Sequence, residues 1–326
     1  MPMYKVTKFL SEISTFFKKS DSDHAMFAIM NVIKGIRMNE RRLFGRKSRS
    51  GSKYSLLQVF QLLLVCPCFM IRNPFSIYGS PLGGKLGFRK DVFYEFLNDG
   101  RTDWRELMYH IVSQLWTKVI VRSDHKSEDT CLMIDDTDFP KTGRRMENIG
   151  RVHSHLEHRS ILGFKALFLG ITDGISLRRS KRGPWSGLLT TDLDLGFFEA
   201  YRIYSRRWSQ EVIFKESKGL LGLGKCQSAN FAAQIASTSL VALQYNILSA
   251  VKRFMDYETI GEIFRQVTKD SHELTISERI WQAILEFVAA ITKVFSIDDE
   301  EVLDAMVNES DELAHICELY QCKMAS

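Results

Sequence analysis

Within the stretch YRIYSRRWSQEVIFKESKGLLGLGK, residues 201–225, four residues able to do chemistry stand at fixed intervals: Tyr204, Arg207, Glu211 and Lys218. At ~100° per residue, a helix gathers these four positions within an arc of roughly 60°. Lys215 joins them, and Trp208, Val212 and Phe214 lie on the shoulders. A carboxylate set among cations and a phenol suits a polyanionic substrate. Arg207 can fork onto a phosphate, Lys215 and Lys218 add point charges, and Tyr204 offers a hydroxyl donor. A surface ion pair between Arg207 and Glu211 is the plainer alternative, and the helix alone does not decide between them.

Upstream, TCLMIDDTD is a short apolar run that ends in acids. It predicts a buried strand with Asp135 and Asp136 at its carboxyl end. Glu211 follows Asp135 by 76 residues, about midway along its helix. Strand-end carboxylates facing a helical glutamate suit Mg²⁺, which prefers hard oxygen ligands and leaves room for phosphate oxygens. Two such ions can activate a water or a 3′-hydroxyl and stabilise the leaving oxygen in phosphodiester chemistry.

The elements that must position these residues follow from periodicity. Residues 1–126 read as helical, and the basic stretch within them suits a polyanion such as DNA. SDSDHAMFAIMNVIKGIR offers Ser and Asp caps at 20–23 and apolar residues Met26, Ile29, Met30 and Ile33. KYSLLQVFQLLLVC and DWRELMYHIVSQLWTKVI are further amphipathic segments, joined by an exposed basic connector at 41–53. From 127 to 225 the texture is α/β. GFKALFLGITDG predicts a second buried strand, GLLTTDLDL a weaker third, and NIGRVHSHL a further candidate. Residues 226–326 return to helix, including a capping box from Thr275 to Glu278. The fold class expected is therefore α/β, a small core between two helical regions.

Composition narrows the setting. The 326-residue chain carries a net charge of +5, unevenly spread. Arg41, Arg42, Arg46, Lys47, Arg49 and Lys53 fall in one acid-free stretch, whereas 298–312 is acidic. The basic stretch fits a polyanion partner, and equally a solvated surface loop. The six cysteines form no even framework, which fits reduced thiols and the cytoplasm. No signal peptide is visible at the N-terminus. The longest apolar run, at 62–71, is too short to span a bilayer and contains Pro67. His153, His155, Glu157 and His158 match no zinc spacing, so polar residues on a strand and turn are the simpler expectation. His315, Cys317 and Cys322 also lack a metal spacing. GLLGLGK lacks the full phosphate-loop pattern, and its glycines are expected to end the helix.

Taken together, LMIDDTDFPKTG and YRIYSRRWSQEVIFKESK resemble the DDE transposases of the insertion-sequence-four group, whose signature is Y-x2-R-x3-E-x6-K. GFKALFLGITDG and LLTTDLDL are similar to that group's linking segments, so the resemblance covers roughly 130–250. It implies a ribonuclease H-like core bearing three metal-binding acids and two Mg²⁺ ions. By the same resemblance, Asp135 is the first acid and Glu211 the third, with Asp136 the lesser candidate for the first. Tyr204, Arg207 and Lys218 contact DNA phosphates. The implied partners are the element's terminal repeats and target DNA, bound as a homodimer in the cytoplasm at the nucleoid. No membrane or small-molecule substrate is implied.

The chain departs from that group in one place. The family places well over a hundred residues between its DG strand and its TTD strand, and the second catalytic Asp lies there. Here GISLRRSKRGPWSG alone joins Gly174 to Leu188, so the sheet is expected to be shortened and that Asp lost. Asp173 lies 38 residues from both Asp135 and Glu211. In a ribonuclease H-like meander, however, its strand is expected to be the outer member, two strands and ~10 Å from Asp135. Asp192 and Asp194 are the other candidates, although the family does not use them as ligands. An unpaired edge on the first strand is expected unless GLLTTD moves in beside it, and such an edge invites association.

Overall fold

The computed structural model describes residues 25–69, 71, 90–121, 131–155, 157–172, 196–255, 257–269, 305 and 308–309. The caps at 20–23, the GLLTTDLDL strand, Asp173, Asp192, Asp194, the Thr275–Glu278 box, His315, Cys317 and Cys322 all lie outside the described residues. Contacts divide the chain into two compact units. One draws on Met1–Gly35, Val65–Lys90 and Glu262–Ser326, the other on Ile36–Leu64 and Asp91–Gly261.

In the first unit, α1 (Ala25–Gly35) buries Met26, Ile29, Met30 and Ile33, the apolar stripe that its periodicity predicts. Cys66 and Cys68 are buried in a 3₁₀ turn, Cys66–Phe69, formed where Pro67 ends regular helix. Burial pushes both thiols up, Cys68 to about 12 from an ordinary value of 9.0. The unfolded chain therefore sheds these protons first, and stability falls as pH rises from about 9 towards 12. Native-state alkylation at pH 8, mapped by mass spectrometry, is expected to modify the half-buried Cys226 well before Cys66 or Cys68.

The second unit holds most of the other elements. Its α-helices are α2 (Glu40–Phe44), α3 (Leu56–Val65), α4 (Lys90–Asn98) and α5 (Trp104–Leu115), followed by α6 (Phe197–Glu216) and α7 (Phe231–Phe254). Side-chain caps start several of these helices. Asn39 accepts from the Arg42 N–H, Asp103 from the Arg105 and Glu106 N–H groups, and Asn230 from the Ala232 N–H. Each spares an N–H that the first helical turn leaves unmatched. Phe44, Phe60, Phe96 and Trp104 meet with ring centroids 5.7–6.4 Å apart and form an aromatic core. Gln244 of α7 donates through Nε2 to the Leu63 carbonyl at 3.0 Å, a buried bond that ties α7 to α3.

The sheet comprises β1 (Cys131–Pro140), β2 (Gly150–Ser154) and β3 (Arg159–Thr172), in the order β1–β3–β2 and antiparallel throughout. The first five residues of β3 pair with β2, and Gly163–Thr172 pair with β1. Gly163 pairs on both sides, with Pro140 and Gly150, and a Cβ there would lie 2.2 Å from the Phe139 carbonyl oxygen. This register corrects the expected meander. β3 lies directly beside β1, not two strands away, because β3 is the central strand and β2 pairs with its other edge.

The same register separates the far end of β3 from Asp135 in another direction. Thr172 pairs with Cys131, four residues before Asp135, or ~13 Å along the strand.

Alternation along β1 and β3 gives two unlike faces. Met133, Thr137 and Phe139 point inward, and Phe139 joins Phe214, Leu223 and Val241 in a core against which Phe164, Ala166 and Phe168 pack. Leu132, Ile134, Leu167, Leu169 and Ile171 are exposed on the other face. The expectation of strands buried on both faces is thus corrected: helices cover one side of the sheet. Among the described residues, the outer edge of β1 has no strand partner.

Candidate functional site

The site builds up from the contact between α6 and the covered face of the sheet. Gln210, Phe214 and Ser217 are buried, and their i, i+4, i+7 spacing makes them one stripe. The Phe214 ring meets Phe168 at 5.2 Å. Gln210 lies over Gly170 so closely that a Cβ there would meet Oε1 at 2.6 Å, with Met133 Cε at 3.2 Å. The helix thus approaches the strand closely at Gly170, and a side chain there would have to displace the ends of Gln210 and Met133. The Oε1 of Gln210 and the Oγ of Ser209 are buried without hydrogen-bond partners.

Asp135 belongs to this covered face. It alternates with Met133 and Thr137, stands opposite Phe168 in the register, is half-buried, and accepts from the Asp136 N–H through Oδ1 at 2.9 Å. Glu211 is half-buried and follows Gln210 in the helix. It lies in the last third of α6, nearer the C-terminus than expected. At ~100° per residue, positions 204, 207 and 211 lie roughly 50–110° around α6 from the buried stripe. The signature positions therefore flank the sheet-facing side of the helix. Tyr204, Arg207 and Trp208 are helical, but their side chains lie outside the described residues.

Lys218 departs from the expected continuous stripe. α6 ends at Glu216, and Lys218 sits in a π-helical turn, Ser217–Leu221, closed by Gly222 at φ 77°. The glycines after Lys218 thus end the helix, as their spacing predicts. Lys218 is half-buried; burial pushes its ammonium down and the Asp138 charge opposes the shift. Lys215 is exposed.

Two residues that the sequence pattern missed, Asp138 and Lys165, complete the surroundings. Asp136 and Asp138, two apart, lie on the opposite face of β1 from Asp135. The Lys165 ammonium stands 3.5 Å from an oxygen of each. Asp138 thus has Lys165 beside it and also acts electrostatically on Lys218. The period-two spacing in DDTD was the available signal for Asp138. Lys165 emerges only from the register, which sets it opposite Asp138.

Lys141, buried at the end of β1, donates through Nζ to the Gly224 carbonyl at 2.7 Å and to the Cys226 carbonyl. Burial lowers its pKa, and Cys226 opposes that shift. This lysine fixes the loop after α6 to the strand. Lys141→Met is expected to strand both carbonyls and lower stability by about 2–4 kcal/mol in urea unfolding.

The carboxylates of Asp135 and Glu211 are hard donors of the kind Mg²⁺ takes, but two are short of a site. Among the described residues, no group of three or more His, Cys, Asp or Glu is placed to hold a metal ion. This includes the hairpin histidines. His153 lies on β2 with its ring 5.2 Å from that of His155, and His158 occupies the turn at φ 50°. What the described residues offer chemically is two half-buried carboxylates, Asp135 on β1 and Glu211 on the helix that packs against the sheet. No helix among them is long and apolar enough to cross a membrane. The chain matches no family model, no curated protein and no solved structure.

Proposed function

We propose that this chain is a transposase of the DDE type, with a ribonuclease H-like core. It binds the ends of a DNA element and performs Mg²⁺-dependent phosphodiester hydrolysis and strand transfer in cut-and-paste transposition. One observation carries the proposal: the helix bearing Tyr204, Arg207 and Glu211 packs on the face of β1 that bears Asp135. Two elements far apart in sequence, one carrying Asp135 and the other Glu211, thus pack against each other, which supports this reading. In this assignment Asp135 and Glu211 are metal-binding acids, while Tyr204, Arg207, Lys215 and Lys218 hold DNA phosphates. DNA is bound as a homodimer at the nucleoid. Mg²⁺ would supply the activation of a water or 3′-hydroxyl. The chain's own cations orient the strand and screen its charge.

A second reading is a catalytically inactive, internally deleted remnant that binds DNA or associates with itself. It is favoured by the 23 residues that separate Thr172 from Gly196, too few for the family's second acidic strand and insertion. Nicking of supercoiled plasmid by the purified chain separates the two. Cleavage that requires Mg²⁺ or Mn²⁺ supports the transposase, and sends the search for a second acid to Asp173, Asp192 and Asp194. DNA binding by folded protein without cleavage supports the remnant.

A further inference from the structure

The basic stretch begins in α2 with Arg41 and Arg42, runs through an ordered loop to α3, and is built around one acid, Glu40 of α2. Glu40 accepts from the Ser48 N–H at 2.9 Å and from the Ser48 hydroxyl at 2.8 Å, and from the Leu57 N–H at 3.1 Å. Ser48 Oγ in turn accepts from the Leu56 N–H at 2.8 Å. Burial pushes the Glu40 carboxyl up, but these donors outweigh it and hold the group below its usual range. Ser55 and Gln58 cap α3 reciprocally: the Ser55 N–H donates to Gln58 Oε1 at 2.9 Å, and the Gln58 N–H to Ser55 Oγ at 3.1 Å. Gly45 at φ 66° and Gly51 at φ 82° make the two bends, and the Ser52 N–H closes the second on the Arg49 carbonyl at 3.0 Å.

The acid faces inward and the cations face out. Arg41, Arg42, Lys47, Arg49 and Lys53 are exposed, and none pairs with a carboxylate among the described residues. Arg46 differs, being bonded to Asp99. The uncompensated charge registers on a neighbour: burial, and then the Arg42 charge, push His110 down. A loop already fixed in shape loses little entropy on binding, which favours contact with a regular array of charges. A membrane surface fits less well, because it needs inserted apolar side chains and no large apolar residue is exposed between 36 and 69 among the described residues. Stacking on single strands needs exposed aromatics, and Tyr54, under the Lys53 ammonium at 5.3 Å, is only half-exposed.

We propose that the Arg41–Lys53 stretch is a pre-formed grip on the phosphate backbone of duplex DNA, independent of sequence and shaped by Glu40. This rests on the DNA-binding reading above but assigns part of the affinity to a surface away from α6. Glu40 is a positioning residue, and the sign of its effect separates position from charge.

The test is fluorescence anisotropy of the full chain on a labelled duplex of arbitrary sequence, from 50 to 300 mM salt. The proteins compared are wild type, R41S/K47S/R49S, E40Q and R207A/K218A, each checked for an unchanged circular dichroism melt. The triple variant is expected to bind about tenfold or more weakly, with a log–log salt slope shallower by about 2.7. E40Q removes a negative charge, so charge alone predicts tighter binding, whereas loss of loop shape predicts binding about threefold or more weaker. Unchanged affinity and slope in the triple variant, or tighter binding by E40Q, would overturn the proposal. Loss in R207A/K218A alone would do the same while leaving the α6 assignment standing, and loss in the triple variant alone would reverse that outcome. Binding of the wild type to phosphatidylserine vesicles but not to the duplex would assign the loop to membranes.

Discussion

Glu211→Gln is expected to lower Mg²⁺-dependent nicking of supercoiled plasmid by at least about 100-fold, while duplex binding stays within about twofold. The amide keeps the size and helical position of the acid but removes the charge that a divalent ion requires. Losing even an outer-shell partner of a metal ligand typically costs 10–100-fold, so loss of a ligand itself should cost no less. Gln210 and Phe214, which seat the helix on the sheet, are untouched by the change. A melting curve beside wild type separates lost chemistry from lost fold. Asp135→Asn is the matching change on the strand and should behave alike. Asp136→Asn, on the opposite face of β1, should leave most of the activity.

Phe139→Ala should have the largest effect on stability, about 3–5 kcal/mol. Its ring is buried with Phe214, Leu223 and Val241, and a Cβ on Gly224 would lie 2.7 Å from its Cδ1. Phe139 thus joins the strand, the signature helix, the loop after it and α7. Removing the ring opens a cavity that four elements share, and the register at Gly163 leaves the backbone little freedom to close it. For a unit of this size the loss corresponds to a melting temperature lower by on the order of 10 °C. Leu167→Ala is the control. Leu167 is 74 % exposed, so its removal should change stability by no more than about 0.5 kcal/mol. Thermal melts of the two variants beside wild type make the comparison.

Local pattern carried much of the architecture. The spacing of Met26, Ile29, Met30 and Ile33 marks the buried side of α1, and the glycines after Lys218 mark where α6 gives way. Both are signals within one or two helical turns. Strand identity was also legible, since CLMIDDTD and FKALFLGIT fall within β1 and β3, but β1 runs on to Pro140, so Asp135 and Asp136 lie mid-strand and not at its carboxyl end.

Pairing was not legible, because which strand lies beside which is set by contacts distant in sequence. The neighbour of β1 is β3, and only that register brings Lys165 to Asp136 and Asp138. An apolar run such as CLMI reads alike whether one face or both are covered, so the exposure of Leu132 and Ile134 could not be anticipated. The Lys141 clamp was hidden for a different reason: its acceptors are backbone carbonyls, which leave no mark in side-chain patterns. At the site, residue types and spacing were legible, but the closing of α6 by a π-turn at Lys218 required the structure.

The flank of α6 that carries Arg207 and the turn beyond it that carries Lys218 are together assigned to DNA phosphates. The most direct test of this central assignment is the salt dependence of duplex binding by wild type and by R207A/K218A. The account predicts steep dependence for wild type and a log–log slope shallower by about 1.8 for the double variant, as two phosphate contacts are lost. Equal affinities and equal slopes would contradict it, and with it the assignment of this surface to DNA.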